Sequence, residues 1–396
     1  MIRFILFCQL TSFLFGQKIF EEFEKDRNNR YHYKETYRFD TVTDDGSYTV
    51  LMDKIEGDIT VSTHFGAGAE LTITRKIRAV TEKKAKRLVK NANILVFHLV
   101  DDQLIQIRSE KRIQYKRDVT TQFELKLPTN INLNLETSGG DIDLSNVMGR
   151  MEAQTSGGDI EVTGSEGLLR VHSSGGDINI VNSDGQFNAS TSGGDLAFRH
   201  LTGNIDAHTS GGSISLKNIE GETIKCQTSG GNIRAEDISA NLTGRTSGGE
   251  IEIENIKGHV VVSTSGGDID AEQITGSLTC HTSGGDIEGQ EIIGVVNSST
   301  TAGDIEMELS YDSSIKDYSI ILETSSGDIQ VQIPTGLPVN IDAEIHGTGT
   351  IQDLNSEIPL KIISAENRVS GTGQVRDGTV PMRLRVFYGT ITIRQE

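Results

Sequence analysis

The motif Ser-Gly-Gly-Asp-Ile recurs along much of this chain at an almost constant spacing, and it limits the possible folds more than any other feature. The second glycine of the motif recurs with an 18-residue period, interrupted by a single 19-residue step. That glycine is found at Gly140, Gly158, Gly176, Gly194, Gly212, Gly231, Gly249, Gly267 and Gly285, and Gly303 of Thr-Ala-Gly-Asp-Ile continues the series. Such regularity is typical of a solenoid, in which each repeat is stable only when stacked on its neighbours.

Apolar and polar residues alternate within each repeat. An aliphatic residue stands two positions after the glycine, as at Ile142 and Ile160, and a further glycine often follows nine positions later, as at Gly149 and Gly167. Alternation with a period of two indicates strands with one buried face. The sequence therefore predicts an all-β fold: a parallel β-solenoid, or β-helix, with an 18-residue coil that contains two short strands.

The segments outside the regular repeat predict the rest of the organisation. Thr81 can cap a helix whose apolar residues Ala85 and Leu88 share one face, so we expect one small inserted helix near the N-terminus. In the last section we expect a degenerate coil at 349–351 and a long loop over 352–378. The predicted segments are a signal peptide (1–16), an N-terminal lead segment (17–46), irregular first coils with a helix at 81–93 and a hairpin (47–135), the regular solenoid (136–309), and irregular C-terminal coils with a cap (310–396).

The segment 1–16 has the pattern of a secretory signal peptide. Arg3 is followed by an apolar stretch up to Phe15 and by the small residue Gly16. The alternative is a buried N-terminal strand. The apolar stretch is too short for a membrane span, so we expect an exported protein, periplasmic, surface-held or secreted, with no transmembrane span in the mature chain.

Charge is distributed unevenly along the chain. The net charge of −19 argues against nucleic acid as a partner, because phosphate binding requires a basic surface. Between Arg75 and Arg117, however, 13 Lys and Arg face four Asp and Glu, a net charge of +9. This section predicts a patch for an anionic polymer or lipid headgroup; the alternative is a solvated face. The candidate residues are Arg75, Lys76, Arg78, Lys83, Lys84, Lys86, Arg87, Lys90, Lys111 and Arg112.

Three residue types form columns when the repeats are aligned. The aspartates after the glycine pair are expected to accept hydrogen bonds from turn amides; the alternative is calcium bridging between coils. The threonines before the pair are expected to be a structural hydroxyl ladder; the alternative is an ice-binding array. Cys226 and Cys280 fall in a small, buried column three coils apart, too far for a disulfide, and are predicted to be core thiols.

The sequence lacks the features of a catalytic site. Acidic residues such as Asp141 and Asp159 recur in most coils, and a repeated column indicates structure more than a unique site. No Ser/His/Asp grouping, zinc-protease motif or phosphate-binding loop stands out. We therefore expect a protein without enzymatic activity and without a cofactor. The alternative in this class is a β-helix enzyme acting on polysaccharides.

These features together resemble a bacterial family of envelope proteins with β-strand repeats that are labelled putative adhesins. The resemblance covers roughly residues 45–394. It rests on Gly57-Asp58-Ile59-Thr60-Val61, the inserted helix, Pro128 before the first repeat, the Ser-Gly-Gly-Asp-Ile motif and Tyr388-Gly389-Thr390-Ile391-Thr392-Ile393. The resemblance implies a solenoid fold and an exported or envelope location, but no ligand. We expect an adhesin-like binding or scaffolding role, with a cell-envelope component or another protein as partner. The alternative is an envelope-stress or structural protein without adhesion.

Overall fold

A computed structural model describes residues 14–15, 17–26, 30–110, 118–347 and 349–396. The chain divides into two compact units, Met1–Thr191 (unit 1) and Ser192–Glu396 (unit 2). The regular secondary structure of the described residues is almost entirely strand, with one α-helix near the N-terminus. This confirms the predicted fold class, including the parallel solenoid and the inserted helix.

Unit 1 holds the helix, α1 (Glu82–Asn91), and the first half of the strands. Those strands are β1 (Leu14–Phe15), β2 (Gln17–Lys25), β3 (Tyr31–Phe39), β4 (Thr49–Ile55), β5 (Asp58–His64), β6 (Ala69–Ile77), β7 (Ile94–Leu99), β8 (Leu104–Ser109), β9 (Val119–Pro128), β10 (Asn132–Thr137), β11 (Ile142–Ser145), β12 (Met148–Thr155), β13 (Ile160–Thr163), β14 (Glu166–Ser173) and β15 (Ile178–Thr191).

The coils of unit 1 stack as two columns of parallel strands. In one column β5, β11, β13 and the start of β15 pair in sequence, with Ile142 opposite Ile160 and Ile160 opposite Ile178. In the other, β4, β10, β12, β14 and the end of β15 pair in the same way. The aliphatic residues that face inward are almost fully buried, as the alternation predicts.

Both columns end in antiparallel strands at the N-terminal side of unit 1. Beyond β5 the order is β9, β6, β3 and β2, and only the β5–β9 pairing is parallel. Beyond β4 the order is β8, β7 and β1, with β7 and β8 forming an antiparallel pair. These strands cap the parallel stack, so that its last coil does not present a bare edge for association.

Helix α1 connects β6 to β7 and begins and ends close to its predicted limits. The Thr81 hydroxyl accepts a hydrogen bond from the Lys84 amide at 3.3 Å, which caps the N-terminus. Ala85 and Leu88 are buried against Tyr31 and Tyr33 of β3. The helix is short for independent stability, and this apolar contact holds it against the antiparallel sheet.

Unit 2 consists of strands and one short 3₁₀ helix, Ile351–Asp353, within its described residues. Its strands are β16 (Leu196–His208), β17 (Ile214–Gln227), β18 (Ile233–Arg245), β19 (Ile251–Ser263), β20 (Ile269–His281), β21 (Ile287–Ala302), β22 (Ile305–Leu309), β23 (Ser319–Ser326), β24 (Ile329–Ile333), β25 (Val339–His346), β26 (Leu354–Ser356), β27 (Lys361–Ala365), β28 (Arg368–Gln374), β29 (Val380–Tyr388) and β30 (Ile391–Gln395).

In the regular coils of unit 2, the two short strands predicted for each coil form one continuous strand. Strands β16 to β21 are each 13 to 16 residues long. Each bends at one residue other than glycine that has positive φ, for example Asn218 and Asp237 at 55° and 58°. Asn and Asp tolerate this conformation better than most residues, so the coil turns a corner while pairing continues on both sides. The extra residue of the single 19-residue step lies between Glu220 and Thr223 of β17, where the register shifts.

The C-terminal part of unit 2 differs from the prediction. The expected coil at 349–351 is replaced by the start of the 3₁₀ helix, and the expected loop over 352–378 contains β26, β27 and β28. Strand β28 pairs antiparallel with both β25 and β27. The parallel stack nevertheless continues, because β29 pairs with β23 and β30 with β24.

The second glycine of each motif allows the coils to stack closely. A Cβ added to Gly158 would collide with the carbonyl oxygen of Gly140 in the preceding coil, whereas a Cβ on the neighbouring Gly157 would meet nothing within 4 Å. Neither Gly140 nor Gly158 has positive φ. Close backbone approach, and not an unusual backbone conformation, therefore explains the second glycine. Within the described part of the chain, no helix has the length and apolar character needed to cross a membrane.

Candidate functional site

The threonine hydroxyls of the ladder form hydrogen bonds that hold successive coils together. The Thr155 hydroxyl donates to the carbonyl oxygen of Gly140 at 2.8 Å and accepts from the Gly158 amide at 3.3 Å. In unit 2, Thr264 makes the same two bonds, with Gly249 and Gly267. These hydroxyls are buried. The structural interpretation is confirmed, and the ice-binding alternative is wrong because the column does not face solvent.

The aspartate carboxylates of the second ladder also accept hydrogen bonds within the stack. The Asp159 amide donates to Oδ1 of Asp141 at 2.9 Å, and in unit 2 the Asp286 amide donates to Oδ1 of Asp268 at 2.8 Å. Each of these carboxylates thus accepts a charge-assisted hydrogen bond from the next coil, which offsets repulsion between stacked carboxylates. Among the described residues, no three His, Cys, Asp or Glu side chains come together as a metal site would require.

The two cysteines are core residues, as predicted. Cys226 and Cys280 are free and buried in unit 2. Burial raises the pKa of each thiol to about 12. A thiol with so high a pKa is a poor nucleophile and a poor metal ligand at neutral pH.

The basic residues predicted as an anionic-ligand patch fall into three groups. Lys76 and Arg78 are exposed on and after β6, and Lys83, Lys84 and Arg87 lie along α1 outside the cavity described below. Lys111 and Arg112 lie outside the described residues. The remaining residues, Arg75, Lys86 and Lys90, line one cavity, although only Lys86 and Lys90 are exposed.

This cavity, the N-terminal cavity, has a volume of about 340 Å³ and lies between α1 and the strands β2, β3 and β6. Its lining includes four cationic side chains against two carboxylates, together with three aromatic rings. The cations are Lys18, Arg75, Lys86 and Lys90, the carboxylates are Glu21 and Glu35, and the rings are Phe23, Tyr33 and Tyr37.

A buried ion pair lies at the centre of this lining. Arg75 Nη1 contacts Glu35 Oε1 at 2.8 Å, and the two side chains are only 2% and 5% exposed. The Tyr37 hydroxyl donates to Glu35 at 3.0 Å, and Lys18 Nζ lies 2.9 Å from the same carboxylate. The Arg75 guanidinium lies over the ring of Tyr33, and its Nε has no hydrogen-bond partner among the described residues.

The electrostatics fix the protonation states of this cluster at neutral pH. Burial, together with the charge of Glu35, raises the pKa of Tyr33 to about 12, so its phenol stays protonated as a donor. Burial and Glu35 also raise the pKa of Tyr37. For Lys18, burial opposes the charged form, but the hydrogen bond and charge of Glu35 outweigh burial and raise the pKa. At neutral pH Lys18 is therefore charged, and the tyrosine hydroxyls are protonated and donate to Glu21 and Glu35.

The outer part of the cavity carries cations that are free to exchange partners. Lys86 Nζ contacts Glu82 at 2.6 Å and lies 5.3 Å from the centre of the Phe23 ring. That ion pair is exposed, and exposed pairs are worth less than about 1 kcal/mol. Lys90 has no ion pair among the described residues. An incoming anion can therefore contact both ammonium groups without breaking a strong interaction.

About half of the residues that line this cavity are not predicted from the sequence. Lys18, Glu35 and the three aromatic residues belong to the segment 17–46, for which the sequence predicts only a lead segment. A signal was present, because Tyr31, Tyr33, Glu35, Tyr37 and Phe39 alternate with polar residues as in a half-buried strand.

Comparisons with known proteins cover part of the chain. Residues 199–356, all within unit 2, match the model of a family described as Toastrack DUF4097. The more specific resemblance, to adhesin-like proteins defined by Ser-Gly-Gly-Asp-Ile repeats, stays a prediction. The sequence matches no curated protein at a significant level.

Two solved structures are similar at low identity. One is a putative cell adhesion protein from Clostridium sporogenes, with 9% identity, a TM-score of 0.18, and coverage of 92% of this chain and 100% of the other. The second is a putative lipid binding protein from Parabacteroides distasonis, with 13% identity, a TM-score of 0.25, and coverage of 75% and 96%. Alignments at these scores assign no function to this chain.

Proposed function

We propose that this protein is a non-catalytic binding scaffold of the cell envelope, and that its N-terminal cavity receives an anionic group of an envelope component. The observation that carries the proposal is the excess of cations in one cavity, four against two carboxylates, with Lys86 and Lys90 exposed at its edge. The ligand chemistry is a phosphate or carboxylate group carried by a polymer or by a lipid headgroup.

The regular coils support a scaffolding role. Their threonine and aspartate side chains form hydrogen bonds between coils. The resulting rigid stack supports the residues of the cap, which occur only once. Their carboxylates recur in register and form no unique catalytic arrangement. The export that this proposal requires rests on the signal-peptide pattern of residues 1–16. It is tested by cell fractionation with N-terminal sequencing, which should find the mature chain outside the cytoplasm and beginning near Gln17.

The site is tested by neutralising its exposed cations in the full-length protein. The variant Lys86→Gln/Lys90→Gln should bind phosphatidylglycerol vesicles or soluble poly(glycerol phosphate) about tenfold more weakly, or worse, because each lysine near an anionic surface contributes about 1 kcal/mol. Vesicle binding alone would identify a lipid headgroup, and binding of the soluble polymer would identify a polymer phosphate.

The helix offers a matched control. Lys83→Gln/Arg87→Gln removes the same charge at the same i, i+4 spacing on α1 but away from the cavity. This control should bind within about twofold of the unchanged protein at 0.15 M salt, where distant charges are screened. Equal losses in both variants would contradict a specific site, as would binding to neither probe by the unchanged protein.

A further inference from the structure

A long groove crosses four coils of unit 2 where strands β16, β17, β18 and β19 bend. Its volume is about 670 Å³. One wall is the column of bend residues, and the other is the column two positions further along each strand. The first column contains His200, Asn218, Asp237 and Asn255, and the second contains Thr202, Glu220, Ser239 and Lys257.

The bend itself creates the groove. The four bend residues have φ between 50° and 58°, which turns each strand by the same amount in successive coils. Between the walls lie Leu201, Ile219 and Ile238, whose side chains point into the core and are at most 2% exposed. The floor is therefore backbone, and the walls are polar side chains at equal spacing along the stack.

Several polar side chains of this groove make no hydrogen bond within the described part of the protein, in contrast to those of the threonine and aspartate ladders. Thr264 and Asp268 in the same unit are engaged in hydrogen bonds between coils. Among the described residues, the side chains of Thr202, Asn218 and Ser239 have no hydrogen-bond partner in the protein. In the groove walls, the only side-chain pair found within the described residues joins Asn255 to Asp237 at 2.6 Å. The fold does not need these hydroxyl and amide groups, so they are available to a ligand.

The chemistry of the lining selects the class of ligand. The walls carry one lysine against two carboxylates, Glu220 and Asp237, so a polyanion gains nothing there. No exposed large hydrophobic side chain lines the groove, so an apolar ligand has no surface to cover. The donors and acceptors recur once per coil, about 4.8 Å apart, which matches a chain that itself repeats hydroxyl groups.

We propose that this groove binds a linear, uncharged, polyhydroxylated polymer, a neutral glycan chain lying along the stack. Each coil contributes one imidazole, amide or carboxylate group from the first wall and one hydroxyl, carboxylate or ammonium group from the second. Weak contacts to successive sugars then add along one chain. The inference is independent of the proposed function, because it concerns another unit, another set of residues and a ligand without charge.

The test measures binding of neutral hexasaccharides to the full-length protein by titration calorimetry. The probes are cellohexaose, chitohexaose and maltohexaose, with a hyaluronan hexasaccharide as the charged comparison. Binding of at least one neutral probe is expected, with a weaker response to the charged one. The variant Ser239→Arg fills the middle of the groove and should weaken that binding about tenfold or more, as expected when a central contact is blocked.

A control on the same strand separates the groove from the surface in general. Thr243→Arg places the same side chain four residues further along β18, outside the groove, and should leave binding unchanged. The proposal is overturned if none of the neutral hexasaccharides binds, if only the charged probe binds, or if Ser239→Arg binds as well as Thr243→Arg. A circular dichroism spectrum of each variant identifies misfolding, and Ser239→Asn, a smaller block, then replaces a variant that does not fold.

Discussion

The regular coils and the N-terminal cap of unit 1 use polar residues in opposite ways. In the coils, Thr155 and Asp141 bond to backbone groups of adjoining repeats, and the same bonds recur in coil after coil. In the cap, Arg75, Glu35 and Lys18 form a single cluster that has no counterpart among the repeats. The threonines and aspartates of the repeat therefore hold the stack together, whereas the cluster of the cap occurs once and can form a single recognition site.

The largest effect is expected where the unrepeated cluster is broken. Arg75→Met leaves the carboxylate of Glu35 buried without its arginine, and loss of one partner of a buried pair costs about 3–5 kcal/mol. Urea denaturation followed by tyrosine fluorescence should report this loss. The double variant Arg75→Met/Glu35→Leu should recover much of it, because no uncompensated charge remains. A double variant as unstable as the single one would mean that packing, and not charge, explains the loss.

A smaller loss of stability, with a closely matched control, is expected in the repeat. Gly158→Ala puts a methyl group against the carbonyl oxygen of Gly140, and such overpacking costs about 1–3 kcal/mol. Gly157→Ala, one residue earlier, meets nothing within 4 Å and should change stability by less than about 0.5 kcal/mol. Thermal melting of both variants measures the difference. Equal destabilisation would refute close stacking as the role of the second glycine.

The smallest effect concerns Asp270 of β20, which lies in register with Glu252 and Glu288 of the adjacent strands, and it depends on pH. Burial, followed by the charge of Glu288, raises the pKa of Asp270. The folded state therefore binds this proton more tightly than the unfolded state. Ionised Asp270 destabilises the protein above its folded pKa, and the effect vanishes below the unfolded value of about 3.9. Asp270→Asn should raise the melting temperature at pH 7 and not at pH 3. A gain at pH 3 alone would contradict the assignment.

The coils could be predicted from the sequence because equivalent positions in successive repeats carry the same residue types. Ile142, Ile160 and Ile178 occupy one column, and the 18-residue register follows from them directly. The cavity could not be predicted in this way. Glu35 and Arg75 meet only because β3 pairs antiparallel with β6, with Tyr33 opposite Arg75. Nothing in the spacing of segments 17–46 and 47–135 specifies that pairing.

The antiparallel strands of the C-terminal section could not be predicted from the repeat either. Strand β28 pairs antiparallel with β25, with Ile345 opposite Val369. That contact lies within a stretch where the 18-residue period is absent, so the sequence predicts a loop there. Where β29 and β30 return to the stack, Gly389 follows Gly327 as the next close glycine, and the motif Tyr388-Gly389-Thr390 marks that return in the sequence.

The central claim is that the cap, through its N-terminal cavity, binds an anionic group. Its most direct test is a crystal of the full-length protein soaked in selenate, whose selenium gives an anomalous signal and whose charge and shape resemble phosphate. We predict an anomalous peak inside the cavity, within hydrogen-bonding distance of Nζ of Lys86 or Lys90, that is absent from crystals of Lys86→Gln/Lys90→Gln. Anomalous peaks confined to other basic residues, such as Lys83 and Arg87, with none in the cavity would contradict the claim.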